Sequence, residues 1–294
     1  MVIVASDRMI THRNVREYEL ADQTKTFELT PKIMVLIAGH TEAMLEICRA
    51  TWLRQSKAPT TRVADAVEVF AEEFRKYRLT RNERRVLAPY GLTMAEYLQK
   101  QRDLAPDVRD EIEGALRGYD SDVGADAIIA GVDDRGAHVY IVSDPGEVYP
   151  QNAAGYAAIG IGAEHAESVF MAAQYTPKRF WAEALILTYQ AKKRAQVAPG
   201  VGNVTDFYWI TDDRTTYFDP RSPLQTSLEG VYADRTTKER AALTEDTLAL
   251  LDWMEKINAT PNTASTITPL PSGAIEGSDQ EGFSDSAQEG ESEG

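Results

Sequence analysis

The chain has 294 residues, 43% of them hydrophobic, and a formal charge of −15. That is ample for one large core in one or two domains, and the acidic balance without a Lys/Arg-rich patch argues against a nucleic-acid partner. No apolar run reaches the roughly 20 residues of a membrane span, and MVIVASDR lacks the start of a signal peptide, so no membrane partner and a cytoplasmic location are expected.

In chain order, Val2–Ala5 reads as a strand ending at Ser6-Asp7-Arg8, with Ile3, Ala5 and Asp7 on one face. A chain rarely opens inside a core strand, so a segment before Met1 is expected. After a loop containing Thr11 comes a second stretch at Val15–Leu20. The central unit is TKTFEL, a turn at Thr30-Pro31-Lys32, the fully apolar strand IMVLIA, Gly39, and the amphipathic segment to Trp52. Period-2 alternation puts Lys25 on the face of Phe27 and Leu29, an odd place for a charge unless it lies at a rim or in a site. Cys48 falls with Met44 and Trp52 on the apolar side of the helix, and its expected role is inert packing.

A second helix is expected over 61–77, with the preceding threonines as caps. Residues 79–120 read as short charged helices with narrow apolar stripes, including the capping box Thr93–Glu96, and suit an insertion. ADAIIAGV and AHVYIVS flank the turn Asp133–Gly136 as a hairpin, and GYAAIGIG at 155–162 reads as another strand. Helices are expected at 164–174 and from Pro177, strands at VTDFYWIT and TTYFD, and a last helix from the capping box Thr236–Glu239. From Asn258 the chain is Thr, Ser, Pro, Gly and Glu with seven negatives and no basic residue, which reads as a disordered acidic tail. Strands grouped with strands and helices with helices predict an α+β protein with antiparallel sheets and helices outside, in one domain over 1–257.

Five motifs in this order carry a resemblance: VIVASDRMIT at 2–11, Lys25 followed by VLIAG ending at Gly39, ADAIIAGVDD, VYIVSDPGEV and AAIGIGAEHA. The chain resembles the proteasome-type peptidases, N-terminal nucleophile hydrolases. The resemblance implies a four-layer α-β-β-α sandwich with two antiparallel sheets, self-association into a homo-oligomer, and a peptide or protein substrate if active. In that family a threonine at the mature N-terminus attacks the peptide carbonyl with its own amine as base. Carried over by position, Lys25 tunes the nucleophile, Asp7 pairs with Lys25, and the backbones of Thr11 and Gly39 hold an extended substrate or form part of the oxyanion site.

The departures from the family are specific. Neither Met1 nor Val2 carries a nucleophilic oxygen or sulfur, so the nucleophile is missing from the chain; the family's turn serine falls at Ile161, and its later aspartate and serine fall near Ala198 and Val201. Two expectations follow: a non-catalytic proteasome-like protein, or a peptidase or amidase whose start lies upstream of Met1. Asp7 and Lys25 are also open to a plainly structural reading as a core ion pair. The four histidines form no HExxH or Cys/His spacing, Gly160-Ile161-Gly162 lacks a dinucleotide loop's third glycine, and no P-loop or GxSxG occurs, so neither metal nor cofactor is expected.

Overall fold

The computed structural model describes residues 1–12, 16–19, 24–119 and 124–259. Its contacts divide the chain into two units, Met1–Asp234 and Arg235 onward. The first unit is mixed α and β with two antiparallel sheets, in agreement with the α+β expectation, plus a two-stranded ribbon.

β1 (Val2–Ser6) pairs with β9 (Asp206–Ile210), and β9 with β10 (Thr215–Phe218). β2 (Met9–His12) and β3 (Arg16–Glu19) form the ribbon; of the expected stretch at Val15–Leu20, Val15 and Leu20 lie outside the described residues. The larger sheet runs in sequence order: β4 (Thr26–Thr30), β5 (Ile33–Gly39), β6 (Ala125–Asp133), β7 (Gly136–Ser143) and β8 (Glu147–Pro150).

Alternation along β5 sorts its side chains between two cores. Ile33, Val35 and Ile37 pack with Met44, Ile47, Phe70 and Phe74 of helices α1 (Thr41–Lys57) and α2 (Val63–Asn82). Met34 and Leu36 face the other way and pack with Ile128 and Ala130 against Val2, Val4 and Ile210 of the smaller sheet. Because both faces of β5 are covered, its sequence is apolar without interruption, as expected. The smaller sheet's far face, with Ile3, Ala5 and Phe207, is covered by Leu185 and Tyr189 of α6 (Trp181–Ala195) and Leu228 of the last helix. Helix α5 (Ala163–Ala172) packs on α6 through Phe170, Leu187 and Ala191.

The segment between α2 and β6 has a hydrophobic cluster of its own. Beyond α2, a π-helical turn at Glu83–Leu87 and a 3-10 turn at Ala88–Tyr90 lead to α3 (Met94–Lys100) and α4 (Pro106–Tyr119). Val86, Leu87, Tyr97 and Ile112 are buried together there, and the Thr93–Glu96 capping box forms with both reciprocal bonds.

Three expectations are corrected. Residues 155–162 form no strand: Gly155 and Gly160 take φ of 76° and 83°, which breaks extended backbone, although Ala157 and Ile159 still pack between the sheets. The N-terminus of α2 is capped by Asp133 Oδ2, which accepts from Val63 N at 2.9 Å, and not by the threonines, so this hairpin-turn aspartate joins sheet to helix. The last helix, α7, spans Pro223–Ala259, because Ser222-Pro223 supplies an earlier start and a capping box acts only where a helix begins. Gln225 fixes that start by donating to the carbonyls of Thr205 (3.0 Å) and Phe218 (2.9 Å).

The second unit holds α7 from Arg235, with i,i+4 pairs Arg235–Glu239 and Lys256–Asp252 and exposed Leu243, Leu250, Met254 and Ile257. The expected acidic tail falls outside the described residues from 260 onward. No described helix is long and apolar enough to cross a membrane.

Candidate functional site

Between the sheets lies a cavity of about 990 Å³, running from Met1 and Val2 along β1 to Ser6 and Asp7 and bordered by Lys25, Gly39, Gly162 and Lys192. Among the described residues β1 is hydrogen-bonded to a neighbour strand on one side only. The Ser6 hydroxyl, on the cavity wall, is buried with no hydrogen-bond partner among the described residues. A backbone edge and an orphaned hydroxyl therefore both border the empty space.

Asp7 lies just past the end of β1, and its Oδ1 accepts from Lys25 Nζ at 2.7 Å and from Met9 N at 2.7 Å. The expected pairing of Asp7 with Lys25 is present; the side chains retain 16% and 22% exposure, so the pair is only partly desolvated. The expected face of Lys25 is corrected. Phe27 and Leu29 pack towards α1 and α2, whereas Lys25 sits at a bend before β4, where strand alternation does not apply, and reaches across to Asp7. Thr26, the first residue of β4, likewise meets the smaller sheet through a 2.9 Å hydrogen bond between its hydroxyl and that of Tyr208.

Gly39 ends β5 with φ of 85°. A Cβ there would lie 1.8 Å from the Gly124 carbonyl oxygen, the atom that accepts from His40 N at 3.1 Å, so no other residue fits without backbone movement. The structure thus brings Asp7, Lys25 and Gly39 to one cavity. Thr11 lies on β2 opposite Glu17, and its side chain falls outside the described residues. The positions expected to depart from the family are apolar here as well: Val201 lines the cavity, Ala198 is buried and Ile161 is exposed.

Two further charged groups escaped sequence reasoning, one behind β1 and one on the cavity wall. Asp206, opposite Ser6 in the β1–β9 register, is fully buried and takes bonds from Arg8 Nε (3.1 and 3.0 Å), Arg8 Nη2 (2.6 Å) and the Tyr217 hydroxyl (3.0 Å). This paired charge ties the end of β1 to β9 and β10 and, through its hydrogen bond, holds Arg8 firmly protonated.

Lys192 of α6 is 7% exposed, lines the cavity, and donates to the Gly202 carbonyl at 2.8 Å. Burial pushes its ammonium down to about 8, opposed by the fields of Asp7 and Glu19 and helped by those of Lys193 and Lys25. A signal for it existed: on a 3.6-residue period Lys192 shares the face of Leu185, Thr188 and Tyr189, where a lysine has no solvent. Glu19 accepts from Val204 N (2.9 Å) and Asn203 N (3.3 Å), holding the loop that presents the Gly202 carbonyl. A Cβ at Gly202 would lie 2.2 Å from Glu19 Oε1, so the glycine permits this approach.

Among the described residues no cluster of His, Cys, Asp and Glu could hold a metal. Cys48 is buried, and desolvation pushes its thiol up to about 12, which suits packing and not nucleophilic work. Comparison with protein-family models and with curated proteins finds no match for this chain.

Proposed function

We propose that this chain carries a proteasome-like fold related to the threonine-type N-terminal nucleophile peptidases, a four-layer sandwich in which α1 and α2, the larger sheet, the smaller sheet, and α5 and α6 are successive layers. The observation that carries the reading is the Asp7–Lys25 pair at the end of a one-sided strand, inside a cavity that Gly39 also borders. Order of motifs and geometry point the same way: a lysine placed to depress the pKa of a neighbouring nucleophile, an aspartate that orients it, and a strand edge able to pair with extended backbone.

In this reading the described residues support peptide binding without turnover. Lys25 hydrogen-bonds Asp7 and no hydroxyl or thiol among them. A second reading, an active peptidase or amidase, is favoured by the free side of β1 and the unpartnered Ser6 hydroxyl, which leave room for a strand preceding Met1 to bring a Thr, Ser or Cys beside Lys25. Self-association into a homo-oligomer through the outer helices belongs to either reading.

Intact mass and N-terminal sequencing of the protein from its native host separate them. An upstream N-terminal Thr, Ser or Cys, with peptide hydrolysis abolished by Lys25→Ala, establishes the peptidase. A start at Met1 or Val2 with extended peptides bound and not cleaved establishes the binding protein. Neither hydrolysis nor peptide binding in either form refutes the assignment.

A further inference from the structure

Asp7 and Lys25 neutralise each other, but Lys192 on the same cavity wall has no carboxylate within ion-pair distance among the described residues. An ammonium has three protons to donate, and Lys192 uses one, on the Gly202 carbonyl. The two carboxylates whose fields reach it are engaged elsewhere: Asp7 by Lys25 and Met9, Glu19 by Val204 and Asn203. The other nearby charges, Lys25 and Lys193, are cationic, and Lys193 is itself bonded to Glu229 at 3.0 Å. This end of the cavity therefore holds an uncompensated buried cation, which is costly unless a counter-charge arrives.

The cavity wall states what else the ligand must be. Ala191 and Ala195 on the helix of Lys192, with Val201, are small or aliphatic, and the Thr188 hydroxyl one turn before Lys192 is spent on the Ala184 carbonyl (2.8 Å); further along the cavity the lining includes Ala157 and Ile159. We propose that Lys192 is the anchor of a binding site for a monocarboxylate with an apolar body, the carboxylate accepting from its ammonium and the body lying between the sheets. Free fatty acids and the C-terminus of an apolar peptide share this chemistry. The site shares the cavity of the proposed function but needs no nucleophile and no turnover, and its octanoate arm tests it apart from peptide binding and cleavage.

The test is calorimetric titration of the full chain at pH 7 with octanoate and with the tripeptide Ala-Ile-Leu, each beside its neutral primary amide. The expected result is binding of at least one acid and about ten- to a hundredfold weaker binding of its amide, the worth of one charge-assisted hydrogen bond. Lys192→Met should weaken the acid by a similar factor, Lys192→Arg should restore it, and Lys193→Met, whose partner is Glu229, should leave it unchanged. Preference for octanoate or for the tripeptide identifies the source. Failure of both acids to bind, equal binding of acid and amide, or undiminished binding to folded Lys192→Met overturns the proposal.

Discussion

Lys192→Met should make the protein more stable at neutral pH and less stable in strong base. The folded ammonium is pushed down to about 8 from the ordinary 10.5 because it is buried. At roughly 1.4 kcal/mol per pH unit, the folded state bears a penalty of about 3 kcal/mol for keeping that charge. The sign follows from proton counts. Between pH 8 and 10.5 the unfolded chain binds more protons than the folded one, so wild-type stability rises with pH there, and the penalty is in full force below pH 8. Methionine keeps the unbranched stem and removes the charge, but leaves the Gly202 carbonyl without its donor at a cost of about 1 kcal/mol. The variant should then lead by about 2 kcal/mol at pH 7, lose the lead as pH approaches 10, and fall behind above it. Urea unfolding of both proteins at pH 7, 8, 9 and 10 measures this difference, and titration of other groups cancels between them. A variant that is less stable at pH 7, or a difference that stays flat with pH, would refute the account of a charged, uncompensated Lys192.

Lys25→Ala should cost about 1–2 kcal/mol, less than for a fully buried pair, because both partners keep some solvent and Asp7 retains the Met9 amide; a double-mutant cycle with Asp7→Asn that gives no coupling would show the pair to be idle. Asp206→Ala removes the buried carboxylate that Arg8 and Tyr217 share, leaving Arg8 its bond to the Tyr217 hydroxyl, and should cost about 2–3 kcal/mol by denaturant unfolding. Gly39→Ala combines a left-handed backbone with a collision on Gly124 and should cost about 3 kcal/mol; an unchanged melting temperature would mean the β5–α1 corner is not as tight as described. Cys48 should resist a thiol reagent at pH 8 in the native protein and react once it is unfolded.

How much of this was readable in advance depended on whether the deciding interaction was local. The all-apolar run of β5 announced a strand covered on both sides, and the Asp133–Gly136 turn announced the β6–β7 hairpin, because composition alone dictates both. The Thr93–Glu96 box was readable and the Thr236–Glu239 box misled, since identical local chemistry is overridden where a helix has already begun at Pro223. The strand expected at 155–162 failed because burial of Ala157 and Ile159 satisfies an alternating pattern without ladder hydrogen bonds. Asp7, Lys25 and Gly39, which border one cavity, were singled out through motif order. Lys192 and Asp206 were missed because their partners stand on Gly202 and Arg8, contacts made by tertiary folding; only the lysine's place on an apolar helix face hinted at it.

The lobe formed by residues 83–119 closes around Val86, Leu87, Tyr97 and Ile112, none of which belongs to either sheet's core. Such a private core predicts a lobe that opens as a cooperative unit of its own while the sheets remain intact. Amide hydrogens of α3 and α4 would then exchange with solvent deuterium through openings much cheaper than global unfolding, and a protease would cut there first. A replacement loop joining α2 to β6 should leave the two sheets folded.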